Sequence, residues 1–287
     1  VCPGFIYGCG EDLFYDYFKM SWLEIPGKLP IIGKGKNTIP TIHIKDLVSL
    51  IRRIIETKPK NHYIFAIDHT KNRQLGNIIK KISKGVGNGL IENLDPSKKD
   101  KIPHFDELSI DIKAKPTKIF NDEKRDDEED EAFEKRKFQW HCEFGIPENI
   151  EKLRKEFNEY RGMKNIKVLI TGPPGSGKSY LSEKLSKFFN IPHFQIKEII
   201  DWGKTFTDEL GEEIKTKLEE INNAVKEAEE TYNKRPGKKK TDLPLDTSQM
   251  SKLPDEIVVK ILRKKLAMNI CRNRGYILDG YPRGYKN

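Results

Sequence analysis

The sequence predicts an α/β chain with two folded regions joined by a charged segment. Three observations carry that prediction. Short apolar stretches alternate with amphipathic ones in the first hundred residues and again in the second half. A glycine-rich loop in the second half stands between a strand-like and a helix-like segment. Between the two regions, residues 122–131 are ten consecutive charged side chains, with nothing to bury. A length of 287 residues agrees with two domains, at roughly 150 residues each.

Charge narrows the classes of function. Lys plus Arg number 53 and Asp plus Glu 44, a net +9 in which both signs are heavily used. A dedicated nucleic-acid binder would concentrate its excess on one element, so no nucleic-acid partner is expected. No run approaches 18 apolar residues, which excludes a helical membrane span. Cys2, Cys9, Cys142 and Cys271 form no C-x-x-C pair, and Cys142 follows His141 with no second pair to close a tetrahedral metal site. Reduced thiols in a cytoplasmic protein are the expectation. The chain starts at Val1 without a signal or transit peptide, which reads as a fragment.

Taken in order, residues 1–95 form the first region. Tyr63–Ile67 reads as a buried strand, and Ile44–Ile55 and Leu75–Ile82 as helices with apolar residues three and four apart. Residues 96–138 are the charged linker. Residues 139–287 are the second region: a helix at Ile150–Tyr160, a strand at Ile166–Ile170, a helix at Tyr180–Phe189, and a charged insertion at 205–240. Within it, Asp208–Lys234 is expected as a surface helix or helical hairpin broken at Pro236-Gly237. The basic run Lys234–Lys240 lacks interleaved aromatics and carries Pro and Gly, so it reads as a solvated loop tip.

The chemistry is concentrated in Gly172-Pro173-Pro174-Gly175-Ser176-Gly177-Lys178-Ser179, a full match to G-x-x-x-x-G-K-[ST]. Glycines let backbone N–H groups turn inward around a phosphate, and the following helix adds its positive end. Lys178 is expected on the β- and γ-phosphates of a nucleotide and the Ser179 hydroxyl on Mg²⁺. About a hundred residues on, Gly275–Asp279 reads as a strand ending in an acid, followed by Gly280-Tyr281-Pro282-Arg283. Asp279 can hold Mg²⁺ through water, and Arg283 can grip a second phosphate.

The two motifs together resemble the adenylate kinase family, as does Leu253-Pro254-Asp255-Glu256-Ile257-Val258 leading into a helix through Leu266. The resemblance implies a P-loop nucleoside monophosphate kinase domain that binds ATP at Gly172, Pro173, Pro174, Gly175, Ser176, Gly177, Lys178 and Ser179. It further implies Mg²⁺ at Ser179 and Asp279, and the AMP phosphate at Arg283, with Lys178 and Arg283 as the catalytic pair. Two departures stand against it. Phe194–Ile200 occupies the place of a Thr-Gly-Asp-x-x-Arg segment that holds AMP in the family. The chain also ends at Asn287, before the family's lid and later arginines, so the fragment alone is expected to be a poor catalyst.

In the first region, Pro3–Gly8, Gly33-Lys34-Gly35 and Pro40–Leu47 resemble the later half of the extended short-chain dehydrogenase family, a Rossmann-like fold. His43 is then expected to be structural, and Asp46 to sit near a helix N-terminus. The glycine-rich dinucleotide loop and the catalytic Tyr-x-x-x-Lys pair of that family are expected to lie before Val1, so NAD(P) is not assignable and dehydrogenase activity is the weakest reading. The tandem of both regions, with Trp140-x-Cys142-Glu143-x-Gly145-Ile146 between them, resembles the branch of the adenylate kinase family associated with motile cilia. That implies ATP and AMP as substrates, location at the ciliary axoneme, and axonemal protein partners such as a radial spoke or another ciliary complex. The alternative is a structural component of the axoneme with a weakly active or inactive kinase fold.

Overall fold

The computed structural model describes residues 1–10, 12–95, 97–98, 102, 104–117, 129–131, 133, 137–234 and 252–281. Two compact units divide between Lys164 and Asn165. Among the described residues no helix is long and apolar enough to cross a membrane.

The first unit is built on three parallel strand pairs. Strand β1 (Cys2–Pro3) pairs with β5 (Phe65–Ala66), β2 (Phe5–Tyr7) with β4 (Thr41–His43), and β3 (Leu29–Ile32) with β6 (Ile91–Leu94). Every residue of β4 is buried, as expected for a parallel strand covered on both faces. The region expected as a buried strand at Tyr63–Ile67 is shorter and only half buried. Its ladder is confined to Phe65–Ala66, with Tyr63 and Phe65 exposed and Ile64, Ala66 and Ile67 inside.

The helices follow their apolar spacing. Helix α1 spans Tyr15–Leu23, α2 Ile44–Thr57 and α3 Leu75–Val86. Helix α2 starts where His43 accepts the Lys45 N–H, and ends at Lys58 in the left-handed region. Its outer face leaves Val48, Ile51 and Ile55 exposed. Helix α3 buries Leu75, Ile78, Ile79, Ile82 and Val86, one continuous stripe that carries the helix past Ile82.

The first unit does not stop at residue 95. Short helix α4 (Phe105–Leu108) buries Leu108, and Asn37 binds the Leu108 and Ile110 carbonyls through its side-chain amide. Arg73 donates to the Ala114 carbonyl, and Thr117 N–H to that of Phe65. Helices α5 (Gly145–Glu148) and α6 (Ile150–Tyr160) then bury Ile146, Leu153 and Phe157 in the same core as Phe14, Phe18, Ile78 and Ile82. Residues expected with the second region on sequence grounds therefore pack in the first unit, because α6 lays its apolar face on α3. Of the charged stretch 122–131, residues 122–128 lie outside the described residues.

The second unit is a three-stranded parallel sheet in the order β7 (Ile166–Ile170), β9 (Gly275–Asp279), β8 (His193–Gln195). Helix α7 (Lys178–Phe189) follows β7, and α8 (Ile196–Gly203) follows β8. Helix α9 (Glu209–Asn233) is continuous for 25 residues and accounts for the expected insertion as far as it is described. Asp208 caps it by accepting from Gly211 N–H, and Lys260 reaches Glu213 at 2.7 Å. Helices α10 (Asp255–Leu266) and α11 (Asn269–Arg274) lead into β9. Ile199, Ile214, Ile257, Ile261 and Leu278 form the centre of this core. The Pro236-Gly237 break and all of the basic run except Lys234 lie outside the described residues.

Candidate functional site

The glycine-rich loop leaves the carboxyl end of β7 and enters α7 at Gly177. The backbone at Gly172, Gly175 and Gly177 has φ of 156°, 78° and 79°, values that side chains with a Cβ rarely adopt. This explains the motif's residue types: the chain must reverse tightly while aiming its N–H groups at one point. Residues 171–177 are open to solvent.

The two reactive side chains of the loop rest on protein acceptors. Lys178 Nζ donates to the Pro173 carbonyl at 2.6 Å. Ser179 Oγ donates to Asp279 Oδ2 at 2.6 Å, across 100 residues of sequence. The sheet makes that meeting possible. In parallel register Ile170 lies opposite Asp279, and Asp279 opposite Gln195, so loop and acid emerge at the same sheet edge. Carboxyl ends of parallel strands are where such folds bind ligands. The Asp279 side chain is 5% exposed. A hydroxyl beside a carboxylate is an all-oxygen donor set suited to Mg²⁺, and Lys178 is positioned to exchange a carbonyl for a phosphate oxygen. The site residues fit a magnesium nucleotide.

One residue here had no place in the sequence reading. His193, the first residue of β8, has Nε2 3.5 Å from Asp279 Oδ2, and that nitrogen is sealed from solvent without a hydrogen bond. Its only signal in sequence is its place at the head of a short apolar strand. Gln195 stands at the N-cap position of α8 without a side-chain cap hydrogen bond, and Ile199 of that helix is buried. Pro282 and Arg283 lie outside the described residues.

A second cluster lies in the first unit. His43, fully buried, donates from Nε2 to Glu156 Oε2 at 2.9 Å, and His141 Nε2 binds the other carboxylate oxygen. Lys45 Nζ also reaches Glu156 at 3.3 Å. Asp46 accepts from the backbone N–H of His141 at 2.5 Å and of Cys142 at 2.9 Å. Burial alone would raise the Glu156 carboxyl, but the bonds from His141 and His43 outweigh it and hold the group at about 2. Desolvation lowers the His43 pKa, against the pull of Glu156, so the imidazole is neutral. Donor atoms of His43, His141 and Cys142, and of Cys9, His43 and Glu156, lie within 4.8 Å of one another. His43 is nonetheless committed. Its Nδ1 accepts from Lys45 N–H, which leaves the proton on Nε2 and no lone pair there for a metal. The expected structural role of His43 is the one its geometry supports, and Gly8 is needed beside it, since a Cβ would come within 2.0 Å of Nε2.

No family model matches the chain. Among curated proteins it is similar to adenylate kinase 7 of Macaca fascicularis, 33% identical over 300 residues that cover 99% of this chain and 52% of the relative. It is also similar to adenylate kinase 7 of Mus musculus, 32% identical over 99% of this chain and 45% of the relative. Adenylate kinase of Caldicellulosiruptor bescii matches 41% of the chain at 31% identity. The chain spans about half the length of the adenylate kinase 7 relatives it matches.

Proposed function

We propose, from a homology to adenylate kinase 7 that runs along nearly the whole chain, that this protein transfers the γ-phosphoryl group of ATP to AMP, yielding two ADP. The observation that carries the reading is the 2.6 Å hydrogen bond between Ser179 and Asp279. It joins the phosphate loop to the acid at the end of β9, the two parts such a reaction needs side by side.

The residues divide the work. N–H groups of the loop and of the first turn of α7 bind the β- and γ-phosphates, with the helix N-terminus adding positive potential. Lys178 leaves the Pro173 carbonyl and lies along the transferring phosphoryl. Ser179 and Asp279 would hold magnesium, which when bound would neutralise charge on the phosphates. Arg283 takes the acceptor phosphate. Catalysis of this kind is positioning and charge stabilisation, with little covalent work for the protein. On the acceptor side, Phe194–Ile200 stands in the region of the family's Thr-Gly-Asp-x-x-Arg segment without the Thr or the Arg.

The tandem of both regions supports a place at the ciliary axoneme, with axonemal proteins as partners. A structural role there is the second reading. Helix α9 favours it: 25 residues long, it buries only Gly211 and Ile214, which leaves most of its length for contacts.

Lys178→Ala in the full-length protein removes a charge-assisted phosphate contact worth about 1.5–3 kcal/mol. ATP affinity, read by calorimetry, is expected to fall roughly ten- to a hundredfold. Unchanged binding would remove the phosphate-loop assignment. Arg283→Ala is expected to lower ADP formation in a coupled assay. For the structural reading, deletion of residues 205–240 is expected to release the protein from axonemes while sparing nucleotide binding.

A further inference from the structure

We propose that Tyr180 is a specificity-determining residue whose ring receives the nucleoside of the bound triphosphate; this rests on the phosphate-loop reading above. Three observations lead there. The first backbone hydrogen bond of α7 runs from Leu181 N–H to the Gly177 carbonyl at 3.0 Å. Among the described residues, the N–H groups of Lys178, Ser179 and Tyr180 therefore have no protein acceptor and are left for a ligand. The Tyr180 side chain starts at the last of these three donors and is 68% exposed. Lys184, one turn further along α7, places Nζ 5.2 Å from the centre of its ring.

The phosphate chain sets a direction. Lys178 and the pair formed by Ser179 and Asp279 serve the β- and γ-phosphates. The remaining free donor, Tyr180 N–H, is left for the α-phosphate, the one that carries the nucleoside. Successive helix residues turn by about 100°, so the Tyr180 side chain projects to a different side of α7 from Ser179, which meets Asp279. The nucleoside then leaves the loop beside an exposed aromatic ring. Every base has a π-face, and stacking takes both rings out of water. The Lys184 contact, an i, i+4 pair, restricts the Tyr180 ring before a nucleotide arrives, which lowers the cost of ordering it. Tyr180 would then matter to a nucleotide and not to a bare triphosphate.

The test compares affinities of the full-length protein for a non-hydrolysable ATP analogue and for inorganic tripolyphosphate, both with magnesium, by calorimetry. Tyr180→Ala is expected to weaken binding of the analogue about tenfold and to leave tripolyphosphate binding unchanged. Tyr180→Phe, which keeps the ring, is expected to retain the wild-type affinity for both. Equal losses for the two ligands would mark a merely structural residue and overturn the proposal, as would full affinity of Tyr180→Ala for the analogue. Thermal melts accompany each variant. If Tyr180→Ala does not fold, the contrast between Tyr180→Leu and Tyr180→Phe decides the same question. A wild-type protein that binds neither ligand would sink the phosphate-loop reading itself, whereas a wild type that binds both, with an unaffected Tyr180→Ala, sinks only the role of Tyr180.

Discussion

A single imidazole settles much of the first unit. His43 caps α2 through Nδ1 and donates through Nε2 to Glu156, 113 residues away. Its lowered pKa means the folded state resists a proton that the unfolded chain accepts near 6.5. The stability from a neutral His43 is complete above that value and is lost as pH falls through the folded one. Glu156, held at about 2, contributes stability present above 4.5 and lost as pH falls toward 2. Thermal melts are therefore expected to drop in Tm between pH 7 and 5. His43→Asn, which keeps a good helix cap, is expected to lose less over that interval, and equal losses would separate the pH response from His43. The structural reading of His43 came from its position in Pro40–Leu47 and the resemblance of that segment to the extended short-chain dehydrogenase family. Glu156 was illegible, because nothing local in a charged helix singles out one glutamate among several.

Elements show the same division. Helices α2, α3 and α6 were readable because an apolar stripe at three- and four-residue spacing is a local property. Their partners were not. Helix α6 precedes the phosphate-loop strand closely in sequence, yet Leu153 and Phe157 are buried against α1 and α3. Phe157→Ala is expected to destabilise the first unit by about 3–5 kcal/mol, read by denaturant melts. The short β5 illustrates a limit of apolar runs: Tyr63–Ile67 looks continuously buried, but one face is left uncovered, so Tyr63 and Phe65 are exposed while Ile64 and Ala66 are inside. Helix α9 was open between one helix and two; Asp208 caps its N-terminus and Ile214 is buried, while the expected break at Pro236-Gly237 lies outside the described residues.

At the scale of the whole molecule, the division at Lys164 makes a direct expectation. A fragment of residues 1–164 should unfold cooperatively. One of residues 1–138 lacks Ile146, Leu153 and Phe157 and should bind an apolar dye and melt earlier. Identical melts would show that α5 and α6 do not complete the core. Composition pointed to residue 138 as the frontier, since the charged run is the visible break, whereas compactness depends on which faces meet.

By itself the sequence determined the phosphate loop, its strand and helix, and the acid at the end of β9. Each depends on contiguous residues: glycines that admit positive φ, an apolar ribbon, a periodic stripe. Only the tertiary structure decided that Ser179 touches Asp279, that His193 stands beside them, and that α6 packs in the first unit. Those facts depend on strand register and on which helix faces meet, and contacts made across a hundred residues leave no mark on the neighbours of either partner.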